Sequence, residues 1–125
     1  MKEIISTDKA PGAIGPYSQG IRVGNLVYTS GQLPINVTTG EMPKEIEAQT
    51  KQSLENVRAV LESGGSSMKN AVKLLIFIKN MNDFVKMNEV YGQFFTENYP
   101  ARSCVEVARL PKDALIEIEA IGILE

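Results

Sequence analysis

Histidine does not occur in this sequence. Its absence removes Ser-His-Asp triads, Cys-His dyads, histidine-ligated zinc and imidazole acid/base pairs together. Cysteine occurs once, as Cys104, so neither an internal disulfide nor a thiolate metal cluster can form, and the composition fits a reducing, cytoplasmic setting. Cationic excess is missing too: 13 Lys and Arg face 15 Asp and Glu, for a net charge of -2. That balance disfavours a nucleic-acid partner and an anionic membrane surface. No apolar run is long enough to span a bilayer, and Lys2, Glu3, Asp8 and Lys9 interrupt the start before a signal-peptide core can form. Without secretion, the Asn36-Val37-Thr38 glycosylation triplet is an accidental match. Catalysis is left to Asp, Glu, Arg, Lys, Tyr, Ser, the lone thiol, backbone groups or bound water, with no metal site.

The 125 residues, 43% hydrophobic and 22% charged, correspond to one globular domain over residues 1–125 with enough apolar surface for its own core. Gln19–Val23 and Leu26–Ser30 flank Gly24-Asn25, a pair that tolerates positive φ, and predict a hairpin. Gly31 to Pro43 reads as a loop. From Glu45, the residues Ile46, Thr50, Leu54, Val57 and Leu61 recur at helical spacing, with Glu45 and Glu47 in the first turn and Gly64-Gly65 as a stop. Val72–Ile78 predicts a strand covered on both faces. Asn82 or Asp83 can cap a second helix whose stripe is Phe84, Met87, Tyr91, Phe94 and Phe95, with Pro100 ending it. Strands at about Ser103–Leu110 and Leu115–Ile123 follow, separated by Pro111–Ala114.

The order ββαβαββ, with a short initial strand allowed near Glu3–Ser6, predicts an α+β fold with two helices packed on one face of a sheet. Apolar residues of the last strand, Ile116, Ile118 and Ile121, fall on both faces. The second face then needs cover that this chain does not contain, and another subunit is the natural source.

The chemistry concentrates in Pro100-Ala101-Arg102-Ser103-Cys104-Val105-Glu106 and Ile116-Glu117-Ile118-Glu119. Strand alternation puts Arg102, Cys104 and Glu106 on one face of their strand, with Val105 and Val107 on the other, and likewise gives Glu117 and Glu119 a shared face of theirs. Charges inside apolar strands cost free energy unless paired or used. These two stretches, with Ala13-Ile14-Gly15-Pro16-Tyr17-Ser18-Gln19, Thr29-Ser30-Gly31-Gln32 and Asn82-Asp83-Phe84, closely resemble the reactive-intermediate deaminase (RidA, YjgF-type) family over nearly the whole chain. The resemblance implies a homotrimer of chorismate-mutase-like subunits with active sites between subunits. It also implies hydrolysis of 2-imino acids, such as 2-iminobutanoate and 2-iminopropanoate, to 2-keto acids and ammonia without metal or organic cofactor. Carried over by position, the site comprises Tyr17, Ser30, Gly31, Asn88, Arg102, Cys104 and Glu117.

Those residue types suit the reaction. Arg102 can hold a planar carboxylate through two charge-assisted hydrogen bonds, and Glu117 can position and deprotonate water. Plainer roles stand beside these. Arg102 can be a structural salt-bridge residue, Glu117 a solvated strand residue, and Cys104 a small hydrophobe lining the site, since a water nucleophile needs no thiol. Tyr17 either closes over substrate or packs on the sheet. Ser30 either ends a strand or, with Gly31, presents N–H groups to an anion. Asn88 projects from the apolar stripe as a buried amide tied to backbone, ligand or a neighbouring subunit. A turn between Arg102 and Glu117 sends them toward opposite ends of the sheet, with backbones on the order of 20 Å apart, so the two are expected to meet across a subunit boundary. The rival from another class is a non-catalytic, small-carboxylate-binding or regulatory trimer using the same cleft.

Overall fold

The computed structural model describes residues 1–125 and places six strands and two helices in the order β1 (Lys2–Ile5), β2 (Gly20–Val23), β3 (Leu26–Thr29), α1 (Ile46–Ser63), β4 (Ala71–Ile78), α2 (Phe84–Phe94), β5 (Ala101–Glu106), β6 (Ile116–Ile123). The strands form one sheet in the order β1-β2-β3-β6-β4-β5. Only β4 and β5 are parallel, joined through α2, and the other neighbours are antiparallel.

Alternation along the central strands builds the core. Leu74, Ile76 and Ile78 of β4 lie opposite Ala120, Ile118 and Ile116 of β6, and all six are buried. They pack beneath Leu54, Val57, Val60 and Leu61 of α1 and Met87 and Tyr91 of α2. The two helices therefore share one face of the sheet, as the apolar spacing predicts. On the other face Leu75, Phe77 and Ile121 are only half-buried, and Ile4, Tyr28 and Val105 are exposed. The expectation that β4 is covered on both faces thus holds for one face of the isolated chain.

Several boundaries differ from the sequence reading. The initial strand is real, because Lys2–Ile5 pairs with β2 over its full length. Helix α2 ends at Phe94, well before Pro100, because Phe95 turns extended and buries its ring 4.6 Å from that of Tyr91. Neither Asn82 nor Asp83 caps α2 through its side chain; Asn80 accepts from the Asn82 N–H and starts a single 3-10 turn that leads into the helix. Strand β5 stops at Glu106, since its partner β4 ends at Ile78.

Polar residues buried on α1 tie down the loop before it. Ser53 donates to the Gln32 carbonyl at 2.7 Å, Asn56 to the Leu33 and Ile35 carbonyls, and Gln49 to that of Pro43. Each buried polar group is thereby satisfied, and each fixes backbone next to the sheet. Gln32 also pairs with Ile118 of β6. The loop from Gly31 to Pro43 is consequently stitched to the sheet at its first residues.

Candidate active site

Register places the two principal groups on opposite faces. Arg102 lies opposite Leu74, which faces the helices, whereas Glu117 lies opposite Phe77, which faces away from them. These partners are offset by three positions along β4, and β4 itself lies between β5 and β6. The backbones are therefore about 10 Å apart along the strands and about 10 Å apart across them, on the order of 14 Å in all. This corrects the longer separation expected from the turn alone: β4 bonds to both strands and brings them into closer alignment. The sheet between their side chains is the greater obstacle to their meeting within one chain.

Around Glu117 the elements converge for local reasons. The Gln32–Ile118 pair is antiparallel, with bonds of 2.7 and 3.3 Å, so Gly31 lies beside Glu119 and diagonal to Glu117, whose side chain reaches back over Gly31. A Cβ on Gly31 would lie 2.8 Å from the Glu117 carboxyl carbon and from its Oε1, so only glycine leaves the carboxylate in place. Gly31, Glu117, Glu119, Tyr17, Gln32 and Lys112 line one cleft of about 710 Å³. Burial raises the Glu117 carboxyl above its ordinary range, and the like charge of Glu119 adds to the rise. A carboxylate shifted in this way is suited to exchange protons nearer neutrality.

The flanking groups divide into used and free. The Ser30 N–H donates to the Gln19 carbonyl at 2.8 Å and its hydroxyl donates to the Ser18 carbonyl at 2.5 Å. Ser30 is thus a tie between segments, and the expected pair of anion-binding N–H groups reduces to that of Gly31, which has no acceptor within the chain. Gln19 also donates to the Thr7, Ala10 and Pro11 carbonyls and accepts from Thr7 N–H. It anchors the segment leading to Tyr17, whose ring is half exposed at the rim.

The second group of site residues lies on the helix side. Asn88 accepts from Nη1 of Arg102 at 2.6 Å, and the guanidinium carbon stands 4.7 Å from the Tyr91 ring centre and 5.5 Å from that of Phe84. Asn88 is exposed rather than buried, because the α2 stripe reaches the open end of the sheet there and meets edge strand β5. Nε and Nη2 of Arg102 have no partner in the chain. Arg102 is therefore not a salt-bridge residue within this subunit, and it keeps a fork of donors for a carboxylate. Cys104 sits two residues along the same face, half-buried, with its thiol pushed up chiefly by burial. That keeps it protonated and unsuited to nucleophilic attack.

Tyr17, Gly31 and Glu117, braced by Ser30, thus form one group, while Asn88, Arg102 and Cys104 form another. The sequence places Glu119 on the face of Glu117, and Phe84 and Tyr91 at spacings of four and three from Asn88 in one helix stripe, but these spacings alone do not assign the three residues to the site.

Comparison with known proteins finds relatives over nearly the whole chain. A 2-iminobutanoate/2-iminopropanoate deaminase of Escherichia coli is 53% identical over 126 residues, covering 98% of each chain. A RutC family protein of Haemophilus influenzae is 56% identical over 127 residues, again covering 98% of each. The crystal structure of TdcF from Escherichia coli with bound serine superposes with a TM-score of 0.95 at 52% identity, over 98% of this chain and 99% of that one. The Endoribonuclease L-PSP family model matches residues 7–124, and this chain accordingly belongs to that family, which includes the reactive-intermediate deaminases that its motifs resemble.

Proposed function

We propose that this protein is a hydrolytic deaminase that converts short 2-imino acids to 2-keto acids and ammonia, in clefts where Arg102 of one subunit faces Glu117 of the next. The observation that carries this reading is the placement of a free guanidinium fork and a half-buried carboxylate on opposite faces of one sheet. A closed trimer joins them three times over and covers the apolar face of Leu75, Phe77, Val105 and Ile121. The relative that is 53% identical bears the name of this activity, and TdcF holds a small amino acid with a carboxylate. No helix is long and apolar enough to cross a membrane; the cytoplasmic setting rests on the lone cysteine.

In this mechanism Arg102 grips the substrate carboxylate and the Gly31 N–H supplies a neutral donor beside the reacting centre. With the C=N group protonated, Glu117 takes a proton from water as the water oxygen bonds to the C=N carbon, giving a carbinolamine. The same carboxyl returns that proton to the amino nitrogen, the C–N bond breaks to release ammonia, and the hydroxyl of the intermediate gives its proton to Glu117 and thence to the departing ammonia as the keto acid forms. Water is the only co-reactant, so the step needs neither metal nor organic cofactor, and Cys104 lines the site. The family's descriptive name includes an endoribonuclease, but a chain without histidine and with a net charge of -2 has little with which to hold or cleave a polyanion.

The test is to add purified protein to a dehydratase acting on its amino acid and follow keto-acid release, with semicarbazide competing for the imine. Faster release and less trapped semicarbazone are expected. Binding of keto acids without any acceleration would instead support the non-catalytic carboxylate binder.

A further inference from the structure

We infer that Phe84 and Tyr91 are positioning residues for Arg102: with Asn88 they form a neutral rail on α2 that fixes the plane of the guanidinium and turns its free edge outward. This rests on the reading of Arg102 as carboxylate anchor. The three residues stand at i, i+4 and i+7, so their side chains line one side of the helix. Arg102 crosses that line from edge strand β5, with its carbon 5.5 Å from the Phe84 ring centre, 4.7 Å from that of Tyr91, and Nη1 2.6 Å from Asn88 Oδ1. Aromatic rings attract a guanidinium through its face, and an amide oxygen takes one edge hydrogen. Nε and Nη2, the parallel pair that matches a carboxylate, remain unpaired.

The chemistry of the rail explains why neutral groups serve here. A flexible arginine on an edge strand needs support, yet an acidic support would occupy the fork and compete with substrate. Rings and an amide hold the group while leaving its charge uncompensated within the chain. Tyr91 is 6% exposed and its hydroxyl has no hydrogen-bond partner, so the ring, not the hydroxyl, accounts for its place beneath Arg102.

The experiment compares Tyr91→Leu, Phe84→Leu and Tyr91→Phe by steady-state kinetics and by the NMR signal of the Arg102 Nε–H. Each Leu variant should raise KM about 3- to 10-fold, the range expected for losing one cation–π contact, with kcat little changed. The Arg102 signal, displaced by ring currents in the parent, should move toward that of free arginine. Tyr91→Phe keeps the ring and should restore both readouts. Should Tyr91→Leu fail to fold, Phe84→Leu at a half-buried position supplies the same comparison. Unchanged KM in the Leu variants, or an Arg102 signal indifferent to them, overturns the rail. If the parent protein hydrolyses no imine, the deaminase reading fails, while the NMR arm still decides whether the rings hold Arg102.

Discussion

Replacing Gly31 by alanine adds one methyl group directly against the carboxylate of Glu117. The new Cβ would lie 2.8 Å from both Oε1 and the carboxyl carbon, and 3.1 Å from Cγ. Ordinary contact begins at 3.4 Å, so the carboxylate must retreat by about 0.6 Å. Misplacing a catalytic group by about 1 Å costs on the order of 100-fold in rate, and the smaller shift corresponds to a loss on the order of 10-fold in kcat. Stability should move the other way. Gly31 has no positive φ, so alanine meets no backbone strain, and its reduced freedom in the unfolded chain adds about 0.4–1 kcal/mol. The half-buried Glu117 side chain can yield without disturbing the Gln32–Ile118 pair. Stopped-assay kinetics and thermal melting on the same preparation therefore form the test: kcat down roughly 10-fold, with melting temperature equal or higher. The Gly31 N–H survives the change, so loss of that donor cannot account for the effect. An alanine variant with full kcat would show that Glu117 does not act from the observed position.

Three further outcomes are expected. Because the raised Glu117 carboxyl must be ionised to accept a proton from water, kcat/KM should fall as pH drops through that raised value; Glu119→Gln removes a like charge and should move this acid limb to lower pH, and an unmoved limb would separate the two carboxylates. Inactive Arg102→Ala and Glu117→Ala subunits, mixed in equal amounts, unfolded and reassembled, should regain about a quarter of parental activity under random trimer formation, whereas sites built within one subunit would regain none. Cys104→Ser should keep most of the activity in the same assay, while Arg102→Lys should recover little, since an ammonium cannot reproduce the planar fork; an inactive serine variant would point to thiol chemistry.

The parts of the fold legible in the sequence were those with strong alternation. Ile46 to Leu61 announced one helix through apolar spacing, and Ile116-Glu117-Ile118-Glu119 announced a strand with two unlike faces. Boundaries set by distant partners were not legible. Nothing local in Phe95 says that its ring will leave the helix to join Tyr91, and nothing after Glu106 says that β4 has already ended. The site followed the same division. Residue types at Arg102 and Glu117 expressed their chemistry directly, but their assignment to opposite faces depends on the registers Leu74–Arg102 and Phe77–Glu117, which arise only when three strands assemble. Likewise Ser30 reads locally as an anion donor, and only the approach of Ser18 and Gln19 shows that its donors are spent.

Under the proposed trimer, that division of faces makes catalytic competence a function of concentration. A newly folded single chain carries Arg102 and Glu117 on opposite sides of its sheet, so it cannot bring both to one small substrate. Specific activity should then fall on dilution below the assembly threshold even though every chain remains folded, and the drop should reverse on reconcentration. Abundance then acts as a built-in threshold, and a chain lacking both residues disables two neighbouring clefts, whereas a chain lacking one of them disables one.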